Sequence, residues 1–342
     1  MNVSTRSRGR VVRAALIVVL VASVLLSLGV GHYAMPLPEV FSVLWGTVTG
    51  TLDAKGQFSQ SLLFQVRLPR IALAMLVGAA LSASGASYQG ILKNPLVAPD
   101  ILGVSNGASL GAVIAIFFGL GSIATQGLAF AFGLLTVFLV VVASKSIGRG
   151  NGIIIVMILC GVVMSSLFSA FVSLLTYLAD TDTQLPEITY WIMGSFARAS
   201  SPQSIAALFL IFCAGSIPLL CVRWRINALS FGDEEASSMG VNVKRVRGII
   251  VCCATLLTSA SVSYCGVVGW VGLIIPHMVR LLSGPDYQSL LPNAMIGGAA
   301  FMVLVDICAR ACPTELPLSV VTAIIGAPLF LWVLFKGRKD WL

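Results

Sequence analysis

This sequence predicts an all-α fold that crosses a membrane about ten times, and three observations predict it. The 342-residue chain is 58% hydrophobic and only 10% charged. Its mean hydropathy is +0.98, whereas a soluble domain carries roughly 25% charged residues. Several apolar runs exceed the roughly 18 residues that a bilayer crossing needs. The basic residues sit in short segments between those runs, so the net charge of +8 reads as a topology signal rather than a nucleic-acid surface. The length fits one membrane domain, residues 1–342.

The elements follow in order. Residues 1–11 form a basic N-terminal tail with Arg6, Arg8 and Arg10, and the first span covers 12–33. A cleaved signal would have a shorter apolar region and a small-residue cleavage site, so this span is expected to be retained. The second span, 69–91, opens on the arginines of RLPR (67–70) and closes at an Asn94-Pro95 turn. The third, 101–120, carries glycines at every fourth position, and the fourth, 123–143, ends before Lys145 and Arg149. The fifth and sixth cover 153–178 and 203–222. A polar loop, 223–246, precedes the seventh span at 247–264. The eighth, ninth and tenth cover 267–282, 291–311 and 318–335, ahead of the basic tail KGRKDWL.

Loop charge orients these spans. With the N-terminus inside, sixteen Lys and Arg fall in cytoplasmic segments and five in outer ones: Lys55, Arg67, Arg70, Arg198 and Arg310. That is the positive-inside pattern, and an even number of spans puts the C-terminal tail inside as well. Arg70 precedes Ser82-Ala83-Ser84 by twelve residues, and Arg247 precedes Ser259-Ala260-Ser261 by the same interval. Five spans separate the copies, which gives them opposite topologies and suggests an inverted repeat, a common plan in transport proteins. Chance placement of Arg at a span start and of small residues within it is the alternative.

Gly103, Gly107 and Gly111, and again Gly266, Gly269 and Gly272, suggest close helix packing. Ionisable groups within the spans reduce mainly to Asp306 and His277, with Arg310 one turn after Asp306. A charge in mid-bilayer is costly, so Asp306 reads either as a local ion pair with Arg310 or as a proton relay. The eight cysteines show neither metal-ligand nor disulfide spacing. No P-loop, HExxH or GxSxG is present, so neither catalysis nor a cofactor in this chain is expected. Any ATP and magnesium would bind a partner.

In the 223–246 loop, Asp233, Glu234 and Glu235 open a short helix through Ala236, Ser237, Ser238 and Met239, with Gly232 before it and Gly240 at its end. Composition leaves this element equally a solvated linker or a docking element. Beyond composition, RLPR (67–70), NPLVAPDILGVSNGASLG (94–111), YWIMGSF (190–196), GDEEASSMGVNVKR (232–245), GWVGLIIPHMVRLL (269–282), LLP (290–292), the ELP of 315–317 and VVTAIIGAPLFLWVL (320–334) resemble, in order and spacing, the FecCD-type permeases of ATP-driven importers for ferric siderophores, haem and cobalamin.

The resemblance implies ten spans in a pair of permease subunits, either identical or paralogous. It also implies two ATPases and a periplasmic or lipoprotein substrate-binding protein. Residues 232–240 would be the coupling helix seated on an ATPase. Arg67, Arg70 and Arg310 would meet glutamates of the binding protein. The stretch 148–161 would lie near the inner gate, where some relatives have small hydroxyl residues and this chain has Ile153, Ile154 and Ile155. The expected function is a permease of the bacterial inner membrane for an iron-siderophore or related metal chelate. Haem, cobalamin or an oxyanion such as molybdate are the alternative cargoes. A secondary transporter is disfavoured by the scarcity of intramembrane carboxylates.

Overall fold

The structure, a computed structural model, describes residues 3–337 except 32, 34, 52, 149–151 and 200. Arg149 and the basic tail beyond residue 337 lie outside the described residues. The chain runs α1 (Val3–Gly29), α2 (Leu37–Thr49), α3 (Ala54–Ser61), a π-helical turn (Leu62–Arg67) and α4 (Leu68–Ile91). It continues with α5 (Val104–Phe117), α6 (Ser122–Ile147), α7 (Ile153–Leu178), α8 (Gln184–Met193) and α9 (Pro202–Phe231). The last five are α10 (Asp233–Ser238), α11 (Val243–Cys265), α12 (Val271–Ser283), α13 (Tyr287–Arg310) and α14 (Leu318–Gly337). Among the described residues seven helices are long and apolar enough to cross a membrane, with α3 and α4 acting as one. The shorter apolar helices α5, α12 and α14 bring the bundle to the expected ten.

Side-chain caps mark several starts. Asp53 accepts from the Gly56 N–H, Ser201 from Ser204, Asn242 from Arg245 and Asp286 from Gln288, each satisfying an orphan donor of a first turn. Pro69 supplies no N–H to the ladder. Upstream of it the bonding widens, and the Leu68 N–H reaches Leu63 O. The π turn lets α3 run on into α4 without a break.

α4 is the hub. A Cβ on Gly78 would lie 2.6 Å from the carbonyl carbon of Gly298 on α13, and one on Gly85 would lie 2.6 Å from that of Gly272 on α12. On the α11 side Ser84 Oγ sits 2.8 Å from Thr258 Oγ1, and Tyr88 Oη sits 2.9 Å from Thr255 Oγ1. In lipid the helices gain little by hiding apolar surface from each other, so this backbone proximity and interhelical hydrogen bonding carry the association.

The paired serine motifs occupy matching places. Ser82 on α4 presses its hydroxyl against Gly298 on α13, and Ser259 on α11 presses its own against Gly133 on α6. Both hydroxyls are buried without a hydrogen-bond partner. α5 and α12 match too, because each starts at half depth. Gly103 abuts Ser165 and Gly161 of α7, roughly 12–18 Å along that helix from its start. Gly272 abuts Gly85 and Leu81 of α4, roughly 9–15 Å from its inner end.

Several boundaries differ from expectation. The sixth span continues as helix to Phe231, and α11 begins at Val243, so the inner connector shrinks from 223–246 to 232–242. α2 and α8 are additional outer helices, too short to register as spans, and α3 extends the second span outward. Gly103 is the left-handed N-cap of α5 (φ +81°) rather than a rung of its ladder. Gly107 and Gly111 do meet α6, at Phe132 and Leu128. Gly266, Gly269 and Gly272 form no helical ridge, because the chain leaves the helix between Cys265 and Val271. Gly266 is left-handed (φ +79°), Gly269 has open space around it, and only Gly272 lies within α12.

Gly78→Ala should therefore destabilise the chain by about 1–3 kcal/mol through overpacking. Gly127→Ala on α6, where a Cβ meets nothing, should be neutral or mildly stabilising. Reversible unfolding in mixed micelles measures both, and equal stability for the two variants would contradict the packing described.

Candidate functional site

Two polar constellations close the bundle, one at each face. At the outer face Arg70 donates from Nε to Asp306 Oδ1 (2.7 Å) and from its two terminal nitrogens to Glu315 (2.7 and 3.1 Å). Arg310 Nε lies 2.9 Å from Asp306 Oδ2, off the hydrogen-bonding direction, so that contact is ionic. Arg310 also donates to Val30 O (2.9 Å) and Ser27 Oγ (2.6 Å). Arg67 donates to the carbonyls of Leu28 and Tyr33. Two guanidinium groups thus cap the C-terminal carbonyls of α1, where positive charge complements the helix dipole. Arg8 does the same at the inner face, donating to Leu282 O (2.7 Å) at the end of α12.

The three outer arginines, expected to meet the binding protein, are therefore engaged within this chain. Arg67, Arg70 and Arg310 are 3%, 6% and 8% exposed, because their charge is spent on the chain's own carboxylates and carbonyls. Asp306 is fully buried between two of them, in keeping with the ion-pair reading. Removing one member of such a set strands a buried charge at a cost of roughly 3–5 kcal/mol. Glu315, in the link before α14, was not singled out in the sequence except as part of ELP. It is the exposed rim of this cluster, held by Arg70 and by Ser195 Oγ at 3.0 Å.

At the inner face α10 projects between α9 and α11. Gly232 has φ 145° and ψ 162°, a glycine-only conformation. A Cβ there would collide with the Glu235 carboxylate. The helix ends in a Schellman motif, with the Gly240 N–H to Ser237 O (2.9 Å) and the Val241 N–H to Ala236 O (3.0 Å). Ala236 and Val241 bury against the bundle. Asp233 is pinned to α11 by Arg247 through bonds of 2.9 and 3.1 Å. Glu234, Glu235, Ser237, Ser238 and Met239 remain exposed. Phe231, beside them at 74% exposure, could not be read as part of this knob while residue 231 was assigned to a loop.

The arginines of the two matched Arg–Ser intervals thus perform the same act at opposite faces. Arg70 at the start of α4 holds Glu315 outside, and Arg247 at the start of α11 holds Asp233 inside. Between the faces α7 leaves Ile155, Leu159, Val162 and Val163 more than half exposed, an apolar surface without charge. Of the residues near the expected gate, Ile153 and Ile154 are half-buried, and 149–151 lie outside the described residues. His277 is buried midway along α12.

The model of the FecCD transport family matches residues 19–336. The chain is 42% identical over 327 residues to the molybdate import system permease protein MolB of Haemophilus influenzae, covering 95% of each. It is 39% identical over 278 residues to a protein of Helicobacter pylori named as an iron chelatin transport system permease, covering 81% of this chain and 83% of that one. A solved structure, an inward-facing conformation of an ABC transporter of metal-chelate type, superposes with a TM-score of 0.85 at 40% identity, covering 95% and 98%.

Burial alone would raise the Glu315 carboxyl, but Arg70 and Ser195 outweigh it and hold the group below the ordinary carboxylate value. Its contribution to stability is then present above about pH 4.5 and lost as pH falls through the lowered folded value. Glu315→Gln should lower the melting temperature at neutral pH, and the gap to the unmodified chain should close in acid. A gap that persisted at the acid end would refute this.

Proposed function

The chain belongs to the FecCD transport family and is the permease of an ATP-driven importer, and we propose that its cargo is an iron-siderophore or related metal chelate. It is an integral membrane protein, and hydrolysis of ATP lies in a separate subunit. In the proposed assembly two permease subunits, identical or paralogous, sit in the bacterial cytoplasmic membrane. Two ATPases serve them from inside, and a periplasmic or lipoprotein binding protein delivers cargo from outside.

The observation that carries the mechanism is the Arg247–Asp233 pair. α10 is short, closed by its C-terminal Schellman motif and tied to α11, so it can pass a displacement on rather than absorb it. The route continues from α11 into α4 through the bonds of Ser84 and Tyr88 to Thr258 and Thr255. In the proposed cycle an ATPase seats residues 232–240, closes on ATP and moves α10. The bundle re-packs over its glycine contacts, and cargo passes along the apolar face of α7. The outer corner receives the binding protein. There Arg67, Arg70 and Arg310 act by fixing the rim, with Glu315 at its surface, rather than by offering free charge.

A second reading of the cargo has its own support: the 42% identity to a molybdate permease favours an oxyanion. Haem and cobalamin remain alternatives within the same class. The cargo is identified by purifying the cognate binding protein and measuring what it retains. An iron chelate is the expected result, and retained molybdate with no iron would establish the second reading instead.

Arg247→Ala should leave ATP hydrolysis by the reconstituted importer within about twofold while cutting uptake roughly tenfold, the scale on which 1.4 kcal/mol acts. The exchanged pair Asp233→Arg with Arg247→Asp should recover much of the uptake. Normal uptake by the single variant would remove α10 from the transmission route.

A further inference from the structure

One to two turns inward of the half-depth start of α5, the inner ends of α6, α7 and α11 enclose a cavity of about 940 Å³. Among the described residues its polar mouth carries the cations Lys145 of α6 and Lys244 and Arg247 of α11. The acid among them, Asp233, is already engaged by Arg247. Lys145 and Lys244 are exposed, and Arg247 keeps a buried Nε without a hydrogen-bond partner. The first residues of α11 line the same mouth, adding the positive end of a long helix. This end of the cavity is built for an anion.

The other end is built for hydrocarbon. Through Val141, Val251 and Cys252 the cavity continues into a second hollow of about 390 Å³ between α6 and α11. That groove is lined by side chains such as Leu134, Phe138 and Leu256. From Lys145 back to Leu134 the helix rises roughly 16 Å, which matches one leaflet of a hydrocarbon core about 30 Å thick. A soluble anion would leave the groove uncovered, and a purely apolar guest would leave the cations unmatched. One molecule satisfies both.

We propose that this cavity and groove bind an anionic phospholipid of the inner leaflet. Its phosphate lies among Lys145, Lys244 and the start of α11, and an acyl chain runs between α6 and α11. Basic pockets between spans on the cytoplasmic side suit such headgroups, each cation near the surface adding about 1 kcal/mol. Because Asp233 and Ser237 of α10 share the cavity wall, the lipid sits against the element assigned to coupling. The lipid site itself requires only the membrane placement and is independent of the cargo.

Native mass spectrometry of the purified full-length chain, titrated with phosphatidylglycerol or phosphatidylcholine, tests the site. Phosphatidylglycerol adducts should exceed phosphatidylcholine adducts. Lys145→Gln with Lys244→Gln should reduce phosphatidylglycerol occupancy roughly tenfold or more while leaving phosphatidylcholine adducts unchanged, which also reports that the variant is folded. Cys252→Trp, which fills the junction of cavity and groove without altering charge, should reduce occupancy too. Undiminished phosphatidylglycerol binding in the lysine variant would overturn the proposal. So would displacement of the lipid by millimolar inorganic phosphate with full retention of binding in Cys252→Trp, since that combination describes a free-anion site.

Discussion

The close approach of four helices to α4 is the constraint on which the rest of the molecule depends. Nothing larger than a glycine fits where α4 meets the backbones of α13 and α12, at Gly78 and Gly85. Against α11 the contact is made by hydroxyls, and Gly90 admits Ile226 of α9. In water such a helix could be held by burial of large apolar side chains. In a bilayer that force is nearly absent between helices, and short-range contact has to replace it. A thicker side chain at any of these points would open the hub and release the neighbouring helices together.

With the hub closed, charge is confined to its ends. Arg70 and Arg247 begin the two central antiparallel helices at opposite faces, and each holds an acid from a connecting segment. The two acids are equally exposed, but Arg70 is the more buried arginine and is backed by Asp306 and Arg310, whereas among the described residues Arg247 has no second carboxylate behind it. This asymmetry matters for function. A deeply buried ionic set is costly to break and suits a fixed rim. A partly solvated pair at the base of a small capped helix suits an element that must be moved by a partner. The two helices α4 and α11 thus share a plan while one end is made rigid and the other responsive.

Much of this was legible in the sequence because hydropathy and loop charge act locally. The ten apolar helices, their alternation and the matched Arg–Ser intervals all come from residues close together in the chain. The short α10 was legible for the same reason, through Asp233–Glu235 and Gly240. The outer cluster was not. Arg70 and Glu315 are 245 positions apart, and no local pattern distinguishes a guanidinium that pairs internally from one facing water. Gly266 and Gly269 misled for a related reason: spacing suggested a helix face, but the chain there turns to start α12 at half depth. α2 and α8 escaped because they lie on the outer surface and are too short to be recognised as spans, and α3 because its polar residues hid its continuity with α4.

On this structure α4 and α11 form one rigid unit through which movement at α10 is carried. Ser84 and Thr258 face each other across that unit at 2.8 Å, so cysteines at both positions can lock the two helices together. The decisive measurement is uptake by the reconstituted importer bearing this pair, compared in oxidised and reduced states. A rigid α4–α11 unit gives the same uptake in both states. Uptake lost on oxidation and recovered on reduction would show that the two helices must slide past each other, and would contradict it.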